Sequence, residues 1–278
     1  MPTLEVGTRV VSDWKQLERI LLAQQRSWIY RGQPENRELK TSLERRLTNW
    51  GIPLEEAPDV EHQLVRHFRR RLADARLHDT LYCLALMQHH GAPTRLLDFT
   101  YSPFAAASFA LRDGPFTDDG DPRSPVLWCF NAEWLNSATR KVVGDRCVDE
   151  RGKDEKRDDT TFRKMYQRGR DHPRFVLNEN PLLLNERLTI QQGVFLCPGD
   201  VSVSFMENLR AMEGFELGKN VMCLMLKFSA SEARRITETL KRMNLSSAAL
   251  FPGFDGFARS LGEDLLHYRD LAKQGAGN

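Results

Sequence analysis

Between Gln88 and Leu111 the chain must end one helix, turn a corner crowded with polar groups and begin another helix. Gly91, Ala92 and Pro93 break the first helix, because proline lacks an amide donor and its ring pushes the preceding residue out of the helical region. Ser102 and Pro103 start the next one, since serine caps well and proline suits the first helical position. Around the break stand His89, His90, Thr94, Arg95, Asp98 and Thr100. Polar groups at this density are not all buried unless they bond one another or a ligand. The segment is therefore either a tight hydrogen-bonded corner or one wall of a binding site. The small residues from Ala105 to Ala110 let the second helix approach a neighbour closely.

The flanking sequence supplies alternating helices and strands. From Ser12 to Gln25, Trp14, Leu17, Ile20 and Leu21 share one helical face, and Asp13 and Gln16 have the spacing of a capping box. Ser27 to Gly32 is a short aromatic and β-branched run stopped by glycine, which predicts a strand with Arg31 near its end. Val60, Leu64, Phe68 and Leu72 recur at four-residue spacing within residues 55–77, and Thr80 to Gln88 carries Leu81, Leu84 and Met87, so two helices lead into the histidines. Pro125 to Phe130, Gln192 to Cys197 and Val221 to Phe228 read as buried strands. Ser229 and Glu232 cap a helix through Met243, and Phe251 to Gly256 make a turn before a final helix. The stretch Gly144 to His172, dense in charge and without aliphatic periodicity, reads as a solvated, mobile loop or insertion.

Composition narrows the class. With 41% hydrophobic and 28% charged residues, the chain can bury a sizeable core. No run approaches the roughly 18 apolar residues of a membrane span, and the first residues lack the pattern of a signal peptide, so a cytoplasmic protein with no membrane partner is expected. Five scattered cysteines, mostly inside apolar runs, read as core thiols rather than disulfides or zinc ligands. A net charge of +2 does not by itself call for nucleic acid. Phosphate loops, His-Glu-x-x-His and Gly-x-Ser-x-Gly patterns do not occur.

Each candidate residue has a functional and a structural reading. Arg31 is a bidentate phosphate clamp or half of a buried ion pair. Arg95 and Asp98, three residues apart, suit an internal salt bridge pinning the corner. His89, the expected inward member of the histidine pair, is an acid-base group or a helix C-terminal cap. Gln192 and Gly193 sit over a ligand or start a strand. Arg66, Arg69, Arg70 and Arg71 track a phosphate backbone or form the wet face of a helix, the latter being favoured. Asp255 reads as a turn residue, and Phe99, Tyr101 and Phe104 stack on a base or nicotinamide or pack in the core, the latter being favoured.

Several stretches together resemble the FRG domain family: Trp28 to Gln33, Gln88 to Thr100, Asn185 to Arg187 followed by Gln192 to Phe195, and Leu250 to Gly256. The family is named for a Phe-Arg-Gly triplet, which here reads Tyr30-Arg31-Gly32, and His90 stands where the family usually has an aromatic residue. FRG domains are in turn distantly similar to ADP-ribosyltransferases. That resemblance implies a single α+β domain over residues 1–278, with a small split β-sheet flanked by helices and an ADP-ribosyltransferase-like core. It also implies NAD as a glycosyltransferase substrate and a protein or nucleic-acid acceptor. By the resemblance Arg31 holds the NAD phosphates, and Tyr30, Gly32, Gln33, Thr94, Arg95 and Thr100 complete the nucleotide-binding set. Gln192, Asp98 and His89 are the implied catalytic group, and no metal is implied. Transferases of this type begin a late strand with glutamate, whereas this chain has Gln191 and Gln192, which moves a required acid to Asp98, Glu186 or Asp255. The alternative is a non-catalytic nucleotide- or nucleic-acid-binding module.

Overall fold

The computed structural model describes residues 8–24, 27–71, 79–112, 124–144, 172–179, 186–216, 218–263 and 265. Almost all of the charged stretch between Gly144 and His172 lies outside them, as do Leu72, Cys147 and Asn185.

The first half of the chain runs through β1 (Thr8–Val11), α1 (Trp14–Leu22), β2 (Trp28–Gln33), α2 (Ser42–Trp50), α3 (Ala57–Arg71), α4 (Thr80–His89), β3 (Leu97–Thr100) and α5 (Pro103–Leu111). The second half gives β4 (Val126–Asn131), α6 (Ala132–Val143), β5 (Val176–Glu179), α7 (Glu186–Ile190), β6 (Gly193–Pro198), α8 (Phe205–Arg210) and β7 (Val221–Leu226). Three helices follow: α9 (Ala230–Arg242), α10 (Ser247–Leu250) and α11 (Phe254–Glu263). The expected caps are present: Asp13 accepts from the amide of Gln16 at 2.8 Å, Ser102 from Ala105 at 3.2 Å and Ser229 from Glu232 at 3.2 Å. Asp255 lies in the first turn of α11 rather than in a free turn.

The strands form one mixed seven-stranded sheet in the order β1-β7-β4-β2-β3-β6-β5, in which β1 and β7 are parallel. The small split sheet is thus replaced by a larger continuous one. Its narrowest seam lies at the centre. β2 pairs with β4 along its whole length, from Trp28 opposite Asn131 to Gln33 opposite Val126, but with β3 only through Tyr30 opposite Thr100. Beyond Tyr30 the two strands part, and Arg31 stands at the opening.

Both faces of the sheet are covered, which explains why the central strands are apolar without a break. On β4, Val126, Trp128 and Phe130 enter a core shared with α3, α4 and α6, while Leu127 and Cys129 enter a second core with α1, α5 and α9. Successive strand residues point to opposite faces, so both sets must be hydrophobic. Each fully buried leucine or phenylalanine contributes about 1.5–3 kcal/mol. The alanines of α5 let it lie directly on β2. A Cβ on Gly32 would meet the carbonyl oxygen of Ala106 at 1.9 Å, so the glycine is fixed by close packing.

Candidate functional site

Arg31 is held by the two strands that diverge around it. Its Nη1 donates to the carbonyl of Asp98 at 2.7 Å and its Nε to Oε1 of Gln33 at 3.5 Å, while Gln33 donates to the carbonyl of Arg37 at 2.9 Å. Among the described residues no hydrogen bond uses Arg31 Nη2. Burial lowers the pKa of Arg31, with the charge of Asp98 opposing and that of Arg45 reinforcing the shift. Gln33 therefore orients the arginine, and Tyr30 is a buried strand residue whose hydroxyl is kept protonated, mainly by burial.

Asp98 is oriented by Gln88, the last inward-reaching residue of α4. The Gln88 side-chain nitrogen donates to Oδ1 of Asp98 at 2.9 Å, and its oxygen accepts from Thr94 Oγ1. This fixes the amide orientation and leaves Asp98 Oδ2 for a ligand. Thr94 is fully buried, and its amide is already engaged, donating to Ser42 Oγ at 2.9 Å. Thr94 supports the site from behind instead of lining it.

Arg95 is structural as well, though its partner is not Asp98. It is almost wholly buried and forms a bidentate pair with Glu61 of α3. Asp98 points elsewhere because the backbone between them is extended, whereas the three-residue pairing rule is helical. His89 and His90 are both exposed and stack edge to face at 5.0 Å, so neither is the inward member expected from the sequence. Partial burial, His90 and Arg187 lower the His89 pKa, which favours its neutral form.

Two cavities meet at Arg31 and Asp98, which line both. The smaller, about 230 Å³, is bounded by Tyr30, Gly32, Thr100, Arg112, Arg187, Gln191 and Phe251. Here Gln191, not Gln192, faces the ligand space. Gln191 is buried and donates to the carbonyl of Leu250 at 2.8 Å, whereas Gln192 is exposed in a left-handed turn with φ 49°. Thr100 holds that turn through Oγ1 donating to the Gln191 carbonyl at 2.6 Å. The guanidinium groups of Arg112, Arg187 and Arg259 lie 5.5, 4.7 and 5.1 Å from the centre of the Phe251 ring. Like charges gathered around one aromatic ring favour an anion between them. Burial lowers the Arg187 pKa; Asp98 opposes this, and Arg259 and Arg112 add to it.

The larger cavity, about 420 Å³, is lined on one side by Arg45, Arg46, Asn49 and Trp50 of α2 and on the other by Gln88 and the Gly91–Pro93 loop. Among the described residues Asp98 is the one carboxylate lining either cavity; Glu186 and Asp255 are exposed and line neither. The α3 arginines line neither; Arg69 donates to Thr80 Oγ1 at 2.8 Å, and Arg66, Arg70 and Arg71 are exposed. Sequence reasoning missed Gln88, Arg45, Arg46, Arg112 and Arg187 as site residues. Only Arg187 and Gln88 stood inside stretches that carried the family resemblance.

Residues 26–118 match the family model of the FRG domain. This span holds Arg31, Arg45, Arg46, Gln88, Asp98 and Arg112, while Arg187, Gln191 and Phe251 lie beyond it. No curated protein and no solved structure matches the chain. Among the described residues, no helix is long and apolar enough to cross a membrane.

Proposed function

We propose, from the premise that residues 26–118 match the FRG domain family, that the Arg31–Asp98 cleft binds NAD and transfers ADP-ribose to a macromolecular acceptor. The observation that carries this reading is the meeting of two arginine-lined cavities at one arginine and one carboxylate. A dinucleotide has a diphosphate at its middle, and Arg31 with Arg187 and Arg112 supplies planar forks that match phosphate oxygens. The adenosine half occupies the smaller cavity, with Phe251 and Gln191 against it, and the nicotinamide ribose reaches Asp98. The seam between β2 and β3 supports the finer assignment of an ADP-ribosyltransferase-like core, since it opens the sheet where the ligand must sit.

In the transfer step the bond between ribose C1′ and the nicotinamide nitrogen breaks, and nicotinamide leaves with the electron pair. The acceptor nucleophile bonds to C1′, and its proton passes to the Asp98 carboxylate. The same negative charge stabilises the oxocarbenium-like ribose as the bond stretches. Gln191 takes the place assigned from sequence to Gln192, and His89, outside both cavities, takes no part. The reading keeps the cytoplasm as its setting.

A second reading, a non-catalytic nucleotide- or nucleic-acid-binding module, is favoured by one observation: among the described residues no glutamate lines either cavity. Nicotinamide release from NAD separates the two. Release by the wild type that is lost in Asp98→Asn supports transfer; NAD binding without release supports the module.

A further inference from the structure

We propose that the exposed face of α2 carrying Arg45, Arg46, Asn49 and Trp50 docks single-stranded nucleic acid and delivers it to Asp98 as the acceptor. The delivery step rests on the transferase reading, whereas the docking does not. Helical spacing puts Arg45 with Asn49, and Arg46 with Trp50, four residues apart on one side of α2. The opposite side carries Leu43 and Leu47, buried against Ala57 and Val201, so the helix is anchored while this face stays open. Trp50 is the last residue of α2 and is 73% exposed. Gly51, in the left-handed region at φ 68°, ends the helix immediately after it, so no further turn covers the indole.

The charge around this face is unbalanced in a specific way. Arg37 and Arg210 each pair with a carboxylate, namely Glu35 and Glu38. Arg46 forms no salt bridge among the described residues, and Arg45 spends Nη1 on the carbonyl of Lys40 at 2.6 Å. The neighbouring acid, Glu44, is turned inward, where it accepts from the amide of Phe205 at 3.2 Å. Two arginines beside a bare indole therefore face a 420 Å³ cavity whose far wall is the Gly91–Pro93 loop. Phosphates on the arginines and a base stacked on Trp50 satisfy both features at once. An acidic peptide would satisfy the charge and leave the indole without a planar partner.

The test is fluorescence anisotropy with labelled single-stranded RNA and DNA oligonucleotides on the full chain, alongside Trp50→Ala, Arg46→Glu and, as a control on the wet face of α3, Arg70→Glu. All three positions are exposed, and circular dichroism checks that each variant folds. Losing one stacked base weakens binding about tenfold in Trp50→Ala. Arg46→Glu lowers the steepness of the salt dependence by about one phosphate contact, and Arg70→Glu changes nothing. NAD binding, followed separately by calorimetry in the wild type and Arg31→Ala, reports on the NAD reading, so a failure of that reading shows itself apart from a failure of the docking. The proposal is overturned if the wild type binds neither oligonucleotide, if the two α2 variants bind as tightly as wild type, or if only protein acceptors become modified.

Discussion

Arg95 and Glu61 tie the polar corner to α3: Arg95 Nε lies 2.9 and 2.8 Å from the two carboxylate oxygens, with side chains 1% and 7% exposed. Removing one partner strands the other charge in the core. Arg95→Ala or Glu61→Ala should each cost about 3–5 kcal/mol in urea unfolding, while the double change Arg95→Met with Glu61→Leu should cost far less. Singles as stable as the wild type would show that the pair does not hold the corner.

Gly32 lies under α5 with no room for a side chain. Gly32→Ala forces backbone apart rather than moving a flexible side chain, so a loss of about 3 kcal/mol is expected by thermal or chemical unfolding. An unchanged melting temperature would mean that α5 does not sit as close to β2 as described.

The adjacent glutamines make a direct comparison. Gln191→Leu should weaken nucleotide binding, because the buried amide lines the smaller cavity, and Gln192→Ala should leave it unchanged, because that side chain is exposed. Equal losses in the two variants would place the ligand elsewhere.

A pH signature comes from the capping box of α8. The hydroxyl of Ser204, then its amide, hydrogen-bonds Glu207 and holds the carboxyl below its ordinary range. A depressed pKa in the folded state means the contribution is fully present above the unfolded value, about 4.3, and is lost as pH falls through the lower folded value. Glu207→Gln should therefore flatten the acid limb of the stability curve, and Ser204→Ala should cost about 1 kcal/mol at neutral pH. A steeper acid limb in Glu207→Gln would reverse the assigned sign.

The parts of this fold legible in sequence are those set by local physics. β2, β4, β6 and β7 were readable as apolar runs, and the caps at Asp13, Ser102 and Ser229 as spacing patterns. β1, β3 and β5 have only four residues each, too few for a period of two to register, so Leu97 to Thr100 read as part of a polar corner. The corner itself was recognised as hydrogen-bonded, but Arg95 found Glu61 from a helix thirty-four positions away in the chain. Arg31 and Asp98 were legible because a motif and a dense polar segment marked them. Arg45, Arg46, Arg112 and Arg187 come from separate helices or helix ends, and only the tertiary fold brings them together.

Calorimetric titration of NAD into the wild type and Arg31→Ala addresses the central claim most directly. Arg31, with Asp98, lines both cavities, and the proposed function assigns it to the diphosphate. Measurable NAD binding by the wild type that disappears in Arg31→Ala, with the variant still folded, is the predicted result. No binding by the wild type, or undiminished binding by Arg31→Ala, would contradict it.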